Sequence, residues 1–209
     1  MTELVIVLST IGTSPTPLTY APRSVFSHAQ RLEQTIKTLV SVREKIPGAH
    51  ILFVDATGIH PRLKEWCDSV LVPNDQRVVS AVNSPIKGLG EAVLLQTALQ
   101  AVKNSDLKPS RIWKINGRYS LDENFCIGDW GVMKSQAHFY NQKSCCTVLY
   151  TITPADFDQF CVFVAGSVAK FDKYPPPSME TVWSEFPFSG IDKLGVCGKV
   201  SVSGEDWWR

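Results

Sequence analysis

Apolar residues in the first half of the chain come in unbroken runs rather than in alternation. ELVIVLST (3–10), AHILFVDATG (49–58), SVLVP (69–73) and the start of RIWKINGRYSL (111–121) are the main ones. Continuous runs of this length predict strands covered on both faces, as in a parallel sheet. Between them the period changes. From about Ser24 to Lys45, Phe26, Leu32, Ile36, Leu39, Val40 and Val42 recur near the helical repeat, and Pro47-Gly48 closes the segment. A short helix with Pro61 in its first turn is predicted over 60–68, and a longer one over 90–105. Residues 74–90 read mostly as loop.

This β-α-β-α-β-α-β order predicts an α/β fold, a mostly parallel central sheet with helices on both faces. The second half is less regular. SCCTVLYTIT (144–153) and FCVFVAGSVAKF (160–171) fit a strand or a buried helix equally well by periodicity. PADFDQF (154–160) suits a helix start, KYPPPS (173–178) a rigid spacer, and SMETVWSEF (178–186) a short helix capped by Ser178. LGVCGKVSVSGEDWWR (194–209) is glycine-rich and strand-like. No repeat and no boundary signal interrupts the chain, so a single domain over 1–209 is expected, with halves 1–125 and 126–209.

Composition narrows the function classes. Of 209 residues, 44% are apolar and 20% charged, the profile of a globular chain, and the net charge is +1. With no basic block, a nucleic-acid partner is not expected, and any phosphate must be bound locally. No run approaches ~18 apolar residues, so no transmembrane segment is expected. The start lacks a signal-peptide pattern, which points to a cytoplasmic protein. Six cysteines show no C-x-x-C spacing, so zinc is not indicated and reduced thiols are expected. Adjacent Cys145 and Cys146 should face opposite sides of a strand.

Ligands of such sheets bind beyond the carboxyl ends of the strands. Ser9-Thr10-Ile11-Gly12, Asp55, Pro73-Asn74-Asp75 and Asn116-Gly117-Arg118-Tyr119 occupy those ends. Arg118 can clamp a phosphate in two-pronged fashion, Asn116 can bond hydroxyls, and Gly117 permits close backbone approach; a plain turn explains the same residues. Asp55 suits a base or ribose contact, or a helix cap. Lys87, Gly88 and Gly90 precede an expected helix whose first turn carries Glu91. A glycine loop there would present free N–H groups to an anion, although an ordinary loop with an acidic first turn explains these residues better on its own. Neither a Walker nor a dinucleotide fingerprint is present. Among the acids of the second half, Glu180 opens a short helix and is the first candidate for a general base, with Asp192 second. Trp130, between two glycines in GDWGVM, is a candidate sugar-stacking ring.

The first 125 residues resemble the nucleotide-sugar-binding half of GT-A-type glycosyltransferases. The matching positions are Thr10, Gly12 and Thr13 in the first loop, Asp55 ending the second strand, Lys87 to Glu91, and Asn116 to Tyr119. The pairing of K-G-x-G-E with K-I-N-G-R-Y is also similar to small transferase-like proteins of viral and bacterial glycan clusters. The resemblance implies transfer of a sugar from a nucleotide diphosphate donor to a glycan or other hydroxyl acceptor. Asp55 and the Thr10–Thr13 loop would then hold the nucleoside. Lys87, Gly88, Gly90 and Arg118 would hold the diphosphate, and Asn116 and Tyr119 would meet the sugar. GT-A enzymes usually carry Asp-x-Asp for a divalent metal where this chain has Asn116-Gly117-Arg118; Asp122 and Glu123 follow only later. Either Mn or Mg is held differently, or Arg118 and Lys87 replace it. A non-catalytic α/β module binding a nucleotide or glycan is the alternative from another class.

Overall fold

A computed structural model describes residues 2–12, 14–18 and 21–208. Strands β1 (Glu3–Ser9), β2 (His50–Asp55), β3 (Ser69–Leu71) and β4 (Arg111–Asn116) are parallel, in the order β3-β2-β1-β4. β5 (Tyr119–Leu121) leaves this sheet. β6 (Gln136–Asn141), β7 (Ser144–Ile152) and the two-residue β8 (Ser189–Gly190) extend it to seven strands, β3-β2-β1-β4-β7-β6-β8. β7 runs antiparallel to both β4 and β6, and β8 lies parallel to β6. A second, antiparallel sheet orders β10 (Asp206–Trp208), β9 (Val196–Lys199) and β5. The expected α/β architecture with a mostly parallel central sheet is what forms.

The unbroken apolar runs exist because both sheet faces are covered. Side chains alternate along a strand, so Val5, Val7, Ile51, Phe53, Trp113 and Ile115 enter one core, and Leu4, Ile6, Leu8, Leu52, Val54 and Ile112 the other. The first core is covered by α1 (His28–Lys45) and the small sheet. The second is covered by α2 (Gln76–Asn83), α3 (Lys87–Lys103), α4 (Phe157–Val168) and α5 (Met179–Trp183). Cys145 and Cys146 divide between the two cores as expected, and all six thiols are free.

Several expectations are corrected. Helix α1 starts at His28, not near Ser24, because Ser27 caps it: Gln30 N–H donates to Ser27 Oγ (3.3 Å) and Ser27 N–H to Gln30 Oε1 (2.8 Å). Over 60–68 only a 3₁₀ turn forms, Pro61–Leu63. Residues 74–90 are not mostly loop. Asp75 caps α2 by accepting from Val78 N–H at 3.0 Å, and α3 begins three residues before Gly90. Of the two ambiguous segments, 144–152 is a strand and 157–168 a helix. Trp130 is buried edge-on against Trp113, with centroids 5.1 Å apart, and is no stacking platform.

Candidate functional site

A cleft of about 730 Å³, counting the part open to solvent, lies at the carboxyl ends of β1 and β4. Its walls come from the ends of those strands, the N-terminal half of α1, the segment before it, and the start of α3. Gly117 lets β4 finish against β1: its N–H donates to Leu8 O at 2.7 Å, and a Cβ there would stand 3.0 Å from the Ser9 Cβ. That close approach turns the chain so that Arg118 faces the cleft.

Four cationic side chains line it: Arg23, Arg31, Lys87 and Arg118. Arg31 is 4% exposed. It donates from Nε (2.9 Å) and Nη2 (2.5 Å) to Thr10 O, from Nη2 to Thr10 Oγ1 (3.1 Å), and from Nη1 to Ser24 Oγ and Ser201 Oγ (both 3.3 Å). Burial, and then the neighbouring Arg118, push its pKa down to about 9 against the pull of Asp55, so it is charged at neutral pH. Arg23 donates to the carbonyls of Val82 (3.1 Å) and Ser84 (2.5 Å) at the end of α2. The side chains of Lys87 and Arg118 make no hydrogen bond or ion pair with any described residue. Arg118 only approaches the Tyr119 ring, 5.5 Å from its centroid. Lys87 is exposed on the cleft side. The protein atoms packed around its other sides, and then Arg118, lower its pKa, while Glu91 and Glu180 pull it up.

One carboxylate, Glu91, lines the cleft. It takes Lys114 Nζ at 2.5 Å, and Lys114, 2% exposed in mid-β4, also donates to Thr147 O. Burial raises the Glu91 pKa, but Lys114, Lys87 and Arg118 outweigh it and hold the group below the usual range. A divalent cation asks for several oxygen ligands. The cleft offers this single carboxylate, already paired, among four cations. Asp122 and Glu123 are not among its lining residues. Among the described residues no group of three or more His, Cys, Asp and Glu converges on a point. The lining fits an anion and does not fit a divalent metal.

The structure brings together Thr10, Lys87, Gly90, Asn116, Gly117 and Arg118 of the expected set. Gly88 and Gly90 do not form a phosphate loop. They lie in the first turn of α3, where a Cβ on Gly88 would meet the Phe171 ring at 2.5 Å and one on Gly90 would meet Ala81 O at 3.0 Å. Their smallness serves packing. Asp55 lies behind the cleft, fully buried. It accepts Ile11 N–H (2.8 Å), Thr57 N–H (2.7 Å) and Thr57 Oγ1 (2.5 Å), and burial raises its pKa. Gly12 N–H donates to Thr57 Oγ1 at 2.9 Å, so Asp55 and Thr57 together pin the first loop. Thr13 falls outside the described residues. Tyr119 is buried in the α1-side core, edge-on to Trp207 at 5.3 Å. Glu180, on α5, is half-buried, and its carboxylate bonds to no described residue. Its field at Lys87 puts it within electrostatic reach of the cleft. Asp192 is exposed beside a separate shallow depression with Asp129 and Lys193.

Arg23, Arg31 and Lys114 escape a reading of the sequence. Arg31 could be found from its place on the buried face of α1, in step with Thr35, Thr38 and Val42. Lys114 could be found as a charge in the middle of a run that both faces cover.

No family model matches this sequence, and no curated protein matches it. Among solved structures, a nucleoside-diphosphate-sugar pyrophosphorylase from Vibrio cholerae RC9 is similar over 93% of this chain and 94% of that one, at 13% identity and a TM-score of 0.49. A glycosyltransferase involved in the glycosylation of the major capsid of PBCV-1 is similar over 88% of this chain and 71% of its own, at 9% identity and a TM-score of 0.41. No helix among the described residues is long and apolar enough to cross a membrane.

Proposed function

We propose that the chain is a nucleotide-sugar-dependent glycosyltransferase that holds the donor's diphosphate with protein cations and passes the sugar to a glycan or other hydroxyl acceptor. One observation carries this reading. Lys87 and Arg118 stand unpaired in a cleft that already contains Arg23 and the buried Arg31. Like charges gathered in a partly desolvated space repel one another, so the arrangement favours a multivalent anion. The N-terminus of α3 opens on the same side, and its free N–H groups add to the positive field. In sugar transfer, negative charge grows on the departing diphosphate. Preorganised cations stabilise that charge at the transition state more than in the ground state. Glu180 is our candidate for the base that takes the acceptor's proton.

Thermal unfolding tests this with pyrophosphate, nucleoside diphosphates and nucleotide sugars, each with and without Mn²⁺ or Mg²⁺. A ligand at 100 times its Kd adds about 2.7 kcal/mol. We expect stabilisation by pyrophosphate and by one nucleotide sugar without metal. A shift that requires metal overturns the cationic diphosphate site, and no shift with any of them overturns the donor assignment. Glu180→Gln should abolish transfer and leave donor binding intact. If wild type binds the donor and transfers nothing to any acceptor tried, the chain is a binding module.

A further inference from the structure

The cleft contains a group that an anion site should exclude. Glu91 lies one turn along α3 from Lys87 and on the same face. Its Oε1 is fixed by Lys114, which is itself held by Thr147 O and by the Tyr150 ring, 5.4 Å from its centroid. Its Oε2 has no partner among the described residues and is not sealed away, and the side chain is 15% exposed where it lines the cleft. An ionised carboxylate can only accept hydrogen bonds, and it repels phosphate. A pair serving packing alone needs no oxygen open to the cleft.

A second polar group points the same way. Asn116 is 9% exposed, lines the cleft, and its side-chain amide bonds to no described residue. It shares a face of β4 with Lys114. An open acceptor and an unpartnered amide suit a group that both donates and accepts, which a hydroxyl does and the diesterified phosphates of a nucleotide sugar, having no P–OH, do not.

We infer that Glu91, positioned by Lys114, is the specificity-determining acceptor for a ligand hydroxyl, so that the cleft prefers a diphosphate carrying a polyhydroxylated ring over a bare diphosphate. This rests on the diphosphate reading above, and the two fail differently.

Binding is measured by calorimetry with pyrophosphate, and with UDP-glucose, UDP-N-acetylglucosamine, GDP-mannose and ADP-glucose beside their parent diphosphates. Wild type should bind one nucleotide sugar at least tenfold more tightly than its parent. In Glu91→Gln, pyrophosphate should bind several-fold more tightly, because a repelling charge is gone, while the preference for the sugar falls about tenfold. A packing role alone would weaken both together. The double variant Lys114→Met/Glu91→Leu strands no buried charge. It should keep pyrophosphate affinity within about threefold of wild type and lose the sugar preference. If wild type does not bind pyrophosphate, the diphosphate site is refuted and this inference with it. If pyrophosphate binds but no sugar is preferred, or the preference survives both variants, the role of Glu91 alone is overturned.

Discussion

Replacing Glu91 by Gln should destabilise the fold more than replacing its partner Lys114 by Met. The two ends of the pair differ in their access to water. Lys114 is 2% exposed; with Gln at 91 its ammonium loses the countercharge and keeps only neutral partners, the amide oxygen, the Thr147 carbonyl and the Tyr150 ring. Stranding a buried charge costs about 3–5 kcal/mol. Glu91 is 15% exposed, opens on the cleft, and keeps Lys87 and Arg118 nearby. Lys114→Met should therefore cost about 1–3 kcal/mol, a buried unsatisfied polar group rather than a stranded charge. The double variant Lys114→Met/Glu91→Leu should return to within about 1–2 kcal/mol of wild type, because a buried pair contributes little beyond a hydrophobic pair of similar volume. Urea unfolding of all four proteins gives the cycle. With a slope of about 2–3 kcal/mol/M, Glu91→Gln moves the midpoint down by roughly 1–2 M. Additive single-variant losses, or a Glu91→Gln loss under about 1 kcal/mol, would refute the view that the two charges hold each other in place.

Arg118→Ala should weaken pyrophosphate binding by about 1.5–3 kcal/mol, the value of a charged hydrogen bond, and slightly raise the melting temperature of the free protein by relieving repulsion on Arg31 and Lys87. Lys87 has a folded-state pKa below its unfolded value, so the unfolded chain binds more protons between the two and the charged lysine penalises folding below both. Lys87→Met should then be more stable than wild type at pH 7, with the advantage fading as pH rises toward about 10.5; unfolding at stepped pH checks the sign. Gly88→Ala should lose about 1–3 kcal/mol in denaturant unfolding despite alanine's helix preference, because the new methyl meets the fully buried Phe171 ring.

The parallel strands were legible because burial on both faces leaves a plain mark, and β1, β2 and β4 lie where the apolar runs put them. Helix α2 was not. Only Val78, Ala81 and Val82 of it are buried, and polar residues, serine and proline surround them. The start of α3 was hidden for a related reason. Glycine signals a loop when local propensity is the only guide, whereas Gly88 answers to Phe171, distant in sequence, and Gly90 to Ala81 and Val82 of the preceding helix. The same limit governs the site. Arg118, Asn116 and Lys87 could be named because they stand at element ends. Arg31 and Lys114 sit inside elements, and their partners Thr10, Ser201, Glu91 and Thr147 come from other parts of the chain.

Ser201 ties the site to the order in which the molecule comes together. It holds Arg31 from 170 positions away, and its hydroxyl also donates to Arg23 O at 3.1 Å. Two of the four cations thus depend on a turn between β9 and β10, near the end of the sequence. A growing chain can fold its parallel strands and α1 well before that turn has been synthesised, yet lack the finished cleft. Ligand capture is then gained only after those strands are in place, and a ligand present during synthesis would act on the docking of that turn rather than on the folding nucleus.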